Sequence, residues 1–200
     1  MGSSVDVCTL LERKVLFSEE FEANGLRLLF KQLESYEEYL AARPLVEMLS
    51  RCSIIHGKDY VNAMLRLPSY YPFVVYLLGE GSANAAAAEA ASASDRNGEV
   101  RTPAPTDERR EINIIGYIEV YTLPHLGRLF DSRLERVVVD PRYRNHGVCQ
   151  KMITLALRFC SSFLHCNRVD LICDNPVAMH IYEKFGFVEV KTNTYRKTLS

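Results

Sequence analysis

Three features are missing from this chain. It has no stretch approaching the roughly 18 apolar residues that a membrane-spanning helix needs, and no apolar leader core near its first residue. Its six cysteines, Cys8, Cys52, Cys149, Cys160, Cys166 and Cys173, form no Cys-x-x-Cys, and neither they nor the five histidines have metal-ligand spacing. Its charge is nearly balanced, with a formal net charge of -1 and a pI of about 6.5. The first absence predicts a soluble protein, expected in the cytoplasm. The second predicts no metal and no disulfide framework, as in a reducing compartment. The third removes the electrostatic basis for a nucleic-acid or membrane-surface partner. Position 6 is Asp6, where a myristoylation signal calls for Ser or Thr, and Thr198-Leu199-Ser200 is no peroxisomal signal.

What is present suits one domain. Two hundred residues, 48% of them apolar and 24% charged, can bury a core of ordinary size. Residues 1–25 read as an N-terminal extension in which Leu10, Leu11, Val15, Leu16 and Phe21 could make a short docking helix. Leu26 to Phe30 reads as the first strand. Ser35 caps a helix carrying Tyr36, Tyr39, Leu40 and Leu45, with Pro44 expected to kink or divide it. Asp59 to Leu67 has helical spacing. Tyr71–Leu78 and Ile112–Tyr121 read as strands that pair as a hairpin, and Gly116 inside the second suggests a bulge. Between them, Gly79 to Glu111 is rich in Ala, Ser and Glu and has no apolar residue larger than Val100. It cannot bury enough surface to fold, so residues 79–111 are expected to be a disordered insertion in a hairpin loop of a domain spanning 26–200.

The most informative stretch is Leu134 to Gln150. Val137-Val138-Val139 has the character of a buried strand, stopped by Asp140-Pro141. A basic loop with Arg142, Arg144 and Gly147 follows, and an amphipathic helix starts near Val148 and carries Cys149, Met152, Ile153, Ala156, Cys160 and Phe163 on one side. Strand, tight loop and helix start bring backbone N–H groups together with the positive end of a helix dipole, a geometry suited to a pyrophosphate. Val169–Cys173 is a further strand, Asn175-Pro176 opens a last helix that ends at Gly186, and Phe187–Val190 with Tyr195 is expected to close in extended structure. The order is strand, two helices, three strands, helix, strand, helix, strand. It defines a mixed α/β (α+β) fold with a largely antiparallel central sheet flanked by helices.

Two of these segments together resemble the GNAT superfamily of acetyl-CoA-dependent N-acetyltransferases: Arg144-Asn145-His146-Gly147-Val148-Cys149, and Asn175-Pro176-Val177-Ala178-Met179-His180-Ile181-Tyr182-Glu183-Lys184-Phe185-Gly186-Phe187. The first is similar to the family's Arg/Gln-x-x-Gly-x-Gly/Ala loop, with Cys149 in place of Gly or Ala. The resemblance implies a set of roles. Acetyl-CoA is the co-substrate. Arg144, His146 and the backbone amides of Asn145, Gly147, Val148, Cys149 and Gln150 hold its pyrophosphate. The backbone of Val137, Val138 and Val139 lies along its pantetheine arm, which Asn175 assists. Tyr182 stands near the thioester sulfur as general acid, and Glu135 orients or deprotonates the amine.

Within the superfamily, the glucosamine 6-phosphate N-acetyltransferases are the most similar. The residues carrying that likeness are Cys52-Ser53-Ile54-Ile55-His56, Ser132-Arg133-Leu134-Glu135-Arg136 and Leu171-Ile172-Cys173. The likeness implies an amino-sugar phosphate acceptor, used for UDP-N-acetylglucosamine synthesis and touched by Ser53, Glu135, Cys173 and Arg196, and a homodimer. Arg133 and Arg136 replace a His and an Asp of that family, on the acceptor side. Two alternatives stand beside it: acetylation of a lysine or an N-terminal amine of a protein, and a CoA-binding module without catalysis.

Overall fold

The computed structural model describes residues 14–49, 54–80, 113–191 and 197. It opens with a strand not expected from the sequence. β1 (Ser18–Ala23) pairs antiparallel with β2 (Leu26–Gln32) through Asn24 and Gly25, both at positive φ (44° and 78°). The helix expected over Leu10–Phe21 is corrected in its described part, since Phe21 pairs with Leu28. The signal that wins is Asn-Gly, the dipeptide of a two-residue hairpin turn, together with the period-2 alternation of exposure along β1. The sheet therefore begins before Leu26.

Helix α1 (Tyr36–Glu47) starts as expected. Ser35 Oγ accepts the Glu38 N–H at 3.1 Å, and the Glu38 carboxylate accepts the Ser35 N–H at 3.2 Å, a reciprocal cap. Pro44 does not divide the helix. It sits in the last turn, and burial of Ala42 and Leu45 on either side holds that turn in place. Helix α2 (Lys58–Arg66) follows, then β3 (Tyr70–Glu80) and β4 (Ile114–Leu123). These two strands are antiparallel neighbours from Tyr70↔Tyr121 to Tyr76↔Ile114, so the chain between them joins two paired strands. Their register slips beside Gly116, where a Cβ would meet Val75 at 3.1 Å and Met152 at 3.3 Å.

β5 (Asp131–Val139) runs antiparallel to β4, and β6 (Arg168–Leu171) parallel to β5. The described sheet has six strands in sequence order, which is the largely antiparallel mixed α/β fold expected. Between β5 and β6 the chain crosses over through α3 (Val148–Arg158) and a wider turn of helix at Phe159–Phe163. The parallel pair is pinned by Asp131, buried, whose Oδ2 lies 2.9 Å from Arg128 and 3.1 Å from Arg168. After β6 comes α4 (Pro176–Lys184), capped by Asn175 as expected and carrying no buried residue. The closing strand expected at Phe187–Val190 does not form: Val188 and Val190 are exposed, while Phe187 folds back to hydrogen-bond Tyr182 and pack edge-on against its ring. Tyr195 lies outside the described residues.

Each face of the sheet has its own core. On one face, Phe30 and Phe73 stack at 4.6 Å, and Phe159 meets Tyr71 and Phe73 edge-on at 5.0 and 5.1 Å. Val148, Met152 and Ala156 of α3 complete that layer. On the other face, Leu33, Val74, Tyr117 and Val138 pack under Ala42 and Leu45 of α1. Each large apolar side chain buried this way contributes about 2 kcal/mol. Because β3 and β4 pair directly, replacing residues 81–108 by a short Gly-Ser turn is expected to change unfolding free energy in urea by no more than about 1 kcal/mol. A loss of the cooperative transition would show that the segment belongs to the core.

Candidate active site

The site is organised by an irregularity in β5. Tyr117 pairs with Val138 and Glu119 with Glu135, so Ile118 alone faces both Arg136 and Val137. This is a β-bulge, and Arg136 sits in it at φ 54°, a conformation seldom adopted by a residue with a side chain. The bulge brings Arg136 to Glu119, with Nε 3.5 Å from its Oε2. Among the described residues, β5 has no partner on its β6 side beyond Leu134, because β6 ends at Leu171. The backbone of Val137 to Val139 thus borders a groove where an extended ligand arm can lie like an added strand. Among these, Val138 points to the α1 side and is buried, whereas Val137 and Val139 pack toward the α3 side.

At the end of the groove is the loop expected to hold an anion. Asn145 and Gly147 both have positive φ (65° and 76°), and Gly147 is the N-cap of α3 with no side chain capping the first turn. A Cβ added at Gly147 would meet nothing within 4 Å, so the cradle is open. The N–H groups of Val148, Cys149 and Gln150 are the orphan donors of that turn, and an anion satisfies them. These residues fit the pyrophosphate of a CoA. Arg144 is exposed, and its Nε donates to the Val139 carbonyl at 3.1 Å, which fastens the loop to the strand end and leaves its terminal nitrogens for a ligand. His146 is half-buried in the same loop. Burial pushes the Cys149 thiol up from its ordinary pKa, so this departure from Gly or Ala acts as a small neutral side chain.

Tyr182 on α4 is half-buried, its ring 5.7 Å from Phe187. Burial first, then the neighbouring thiols Cys149 and Cys173, drive its pKa well above the ordinary tyrosine value. The structure thus brings Tyr182 together with the loop helix and with Cys173. Asn175 uses its side-chain oxygen to cap α4, accepting the Val177 N–H at 3.0 Å. Glu135 is half-buried, 3.5 Å from Arg133, and stands opposite Glu119 across the strands. Ser53 and Arg196 lie outside the described residues.

Sequence reasoning missed the other half of the site. On the α1 side of the bulge is a cavity of about 360 Å³ whose walls include Tyr39, Arg43, His56, Tyr60, Tyr117 and Arg136. At its floor lies Glu119, 5% exposed. Three phenols donate to this one carboxylate: Tyr70 at 3.0 Å, Tyr117 at 2.7 Å and Tyr121 at 2.8 Å. With Arg136 beside them, the carboxylate's acceptor positions are filled. Each phenol has committed its one proton, so toward the cavity each oxygen can act only as an acceptor. Burial, with the Glu119 charge as the second cause, pushes all three phenols well above their ordinary pKa. The array suits an N–H donor such as an amine. The available signal was Tyr-x-Glu-x-Tyr at 117, 119 and 121, which places three polar groups on one face of a strand otherwise made of core residues.

The match to known proteins agrees with this geometry. Residues 72–187 match the model of the acetyltransferase (GNAT) family. The chain belongs to that family, whose enzymes use acetyl-CoA as co-substrate. It is 29% identical over 84 residues to spermidine N(1)-acetyltransferase of Vibrio cholerae, covering 41% of this chain and 47% of that protein. It is 28% identical over 79 residues to an L-amino acid N-acetyltransferase of Escherichia coli, covering 38% and 47%. The chain thus spans about half the length of the curated relatives it matches. Its fold is shared with glucosamine-6-phosphate N-acetyltransferase of Arabidopsis thaliana, with a TM-score of 0.59 and 15% identity over 85% of this chain and 97% of that one. Among the described residues no cluster of His, Cys, Asp and Glu could hold a metal, and no helix is long and apolar enough to cross a membrane.

Glu119→Ala would leave the buried Tyr117, the half-buried Tyr70 and Tyr121, and Arg136 without their common partner. It is expected to cost about 3 kcal/mol in urea unfolding, while Glu119→Gln, which keeps an acceptor, costs markedly less. Equal losses would show that the carboxylate charge, and not the hydrogen bonding, holds the array.

Proposed function

We propose that this protein transfers an acetyl group from acetyl-CoA directly to the primary amine of a small molecule held in the Glu119 cavity, with D-glucosamine 6-phosphate as the acceptor that the motif resemblance favours. The observation that carries the reading is the position of the β5 bulge. It stands between an open loop suited to a pyrophosphate, beside a β5 edge unpaired among the described residues, and the cavity that we assign to the amine.

In this reading the loop from Asn145 to Gln150 binds the pyrophosphate, and the edge of β5 from Val137 to Val139 aligns the pantetheine arm. The N–H of Val137, re-aimed by the bulge, stabilises negative charge on the acetyl oxygen. The phenol oxygens of Tyr70, Tyr117 and Tyr121 hold the amine close to the carbonyl carbon. Glu119 has its acceptor positions filled, so Glu135, which among the described residues lies 3.5 Å from Arg133, is the carboxylate that takes the amine proton through water. As the N–C bond forms and the C–S bond breaks, Tyr182 gives its phenolic proton to the leaving thiolate.

Thiol release from acetyl-CoA in the presence of glucosamine 6-phosphate tests the whole reading. Turnover with peptide amines and none with small amines would replace it by protein acetylation, and CoA binding without turnover on any amine would make the chain a binding module. Tyr182→Phe is expected to lower kcat at least about tenfold with little change in CoA affinity. Because the Tyr182 pKa is raised, its acid form persists as pH rises through the ordinary tyrosine value. The kcat profile should therefore show no fall from Tyr182 ionisation up to about pH 10. A fall centred below pH 9 that disappears in Tyr182→Phe would remove burial from the account.

A further inference from the structure

One side chain of the cavity wall holds a donor with no partner among the described residues. Arg43 lies on α1 and lines the cavity wall, and its terminal nitrogen pairs with Glu47 one turn later on the same helix. Its Nε is buried and has no hydrogen-bond partner among the described residues. A buried N–H of a charged group left unsatisfied is costly, and one on a side chain that lines a cavity is most simply explained as reserved for a ligand's acceptor.

The wall holds two guanidiniums. Arg43 and Arg136 line the cavity with Glu119, and each lies against one carboxylate, Glu47 for Arg43 and Glu119 for Arg136. Glu119 takes no further donor, since three phenols and Arg136 already occupy it. His56 stacks on Tyr60 at 4.2 Å and adds a second donor to the wall that carries Arg43. The same cavity therefore presents donors on α1 and on the segment just before α2, and acceptors on β3 and β4. A ligand complementary to both has an N–H donor and, apart from it, an anion. A polyamine matches less well, since its further positive charges would lie beside the two guanidiniums of the wall.

Resting on the acetyl-transfer reading, we propose that the acceptor bears an anionic group, a phosphate or a carboxylate, in addition to its amine, and that Arg43 is the residue that reads this anion. The guanidinium keeps its Glu47 pairing through one terminal nitrogen and turns Nε to the ligand. Selection for the anion then comes from pairing a buried donor that is otherwise unpaired, which is the arrangement that discriminates most strongly against analogues lacking the group.

Matched pairs of acceptors test this. Glucosamine 6-phosphate against glucosamine probes phosphate, L-leucine against L-leucinamide probes carboxylate, and spermidine serves as the polycation. The wild-type protein is expected to favour the anionic member of at least one pair by about tenfold or more in kcat/KM, and to use spermidine least. Arg43→Gln is expected to shrink that preference to within about threefold, the loss falling on KM for the anionic member. Glu47→Gln should keep the preference, and equal melting temperatures should show both variants folded. Three results would overturn the proposal: equal use of both members of each pair, spermidine as the best acceptor, or an intact preference in Arg43→Gln. In each of these acetyl transfer still occurs, so the parent reading survives. Absence of transfer to every amine, with CoA bound, removes both.

Discussion

A carboxylate in a low-dielectric site must be surrounded by donors or it does not stay there. Glu119 meets that condition with three phenols and one guanidinium drawn from β3, β4 and β5. The requirement ties the register of three strands to one point. It also explains why the bulge in β5 is tolerated. Arg136 is held in a conformation that costs of order 1 kcal/mol, and the ion pair it reaches offsets that strain. Both halves of the site depend on this arrangement, because the bulge that delivers Arg136 also re-aims the neighbouring Val137 toward the opposite groove.

Much of the frame was legible in the sequence where the signal was local. Ser35 with Glu38, Asn175 with Pro176, and Gly147 before Val148 each fixed a helix start, since a cap is decided by residues within one turn. The first strand was misread because Val15, Leu16 and Phe21 match a helical spacing, while Asn24-Gly25, two residues further on, overrides it. The last strand failed for the opposite reason: Val188 and Val190 have the composition of a strand, yet composition does not provide a partner.

The loop proposed to hold the cofactor is contiguous in the sequence, and the cavity proposed to hold the acceptor is not. That loop spans seven consecutive positions, Arg144 to Gln150, so its residues can be picked out from the sequence alone. The cavity joins Arg43, His56, Tyr70, Glu119 and Arg136 from five separated segments, and their meeting depends on a register slip that no periodicity announces. Even the Tyr-x-Glu-x-Tyr alternation of β4 gives a face without saying what that face looks into. An orphan nitrogen such as Arg43 Nε is a property of the packed molecule alone.

The attachment of α4 has a different kind of consequence. This helix supplies Tyr182 but buries none of its own residues, whereas α3 beside it is anchored by Val148, Met152, Ile153, Leu155 and Ala156. Opening of α4 therefore exposes little apolar surface and draws little on the free energy that holds the sheet together. With Tyr182 as the proposed proton donor, heat inactivation is expected to precede melting of the sheet. Mutations that raise the melting temperature by filling the core would leave working lifetime unchanged, while a single added apolar contact under α4 would extend it.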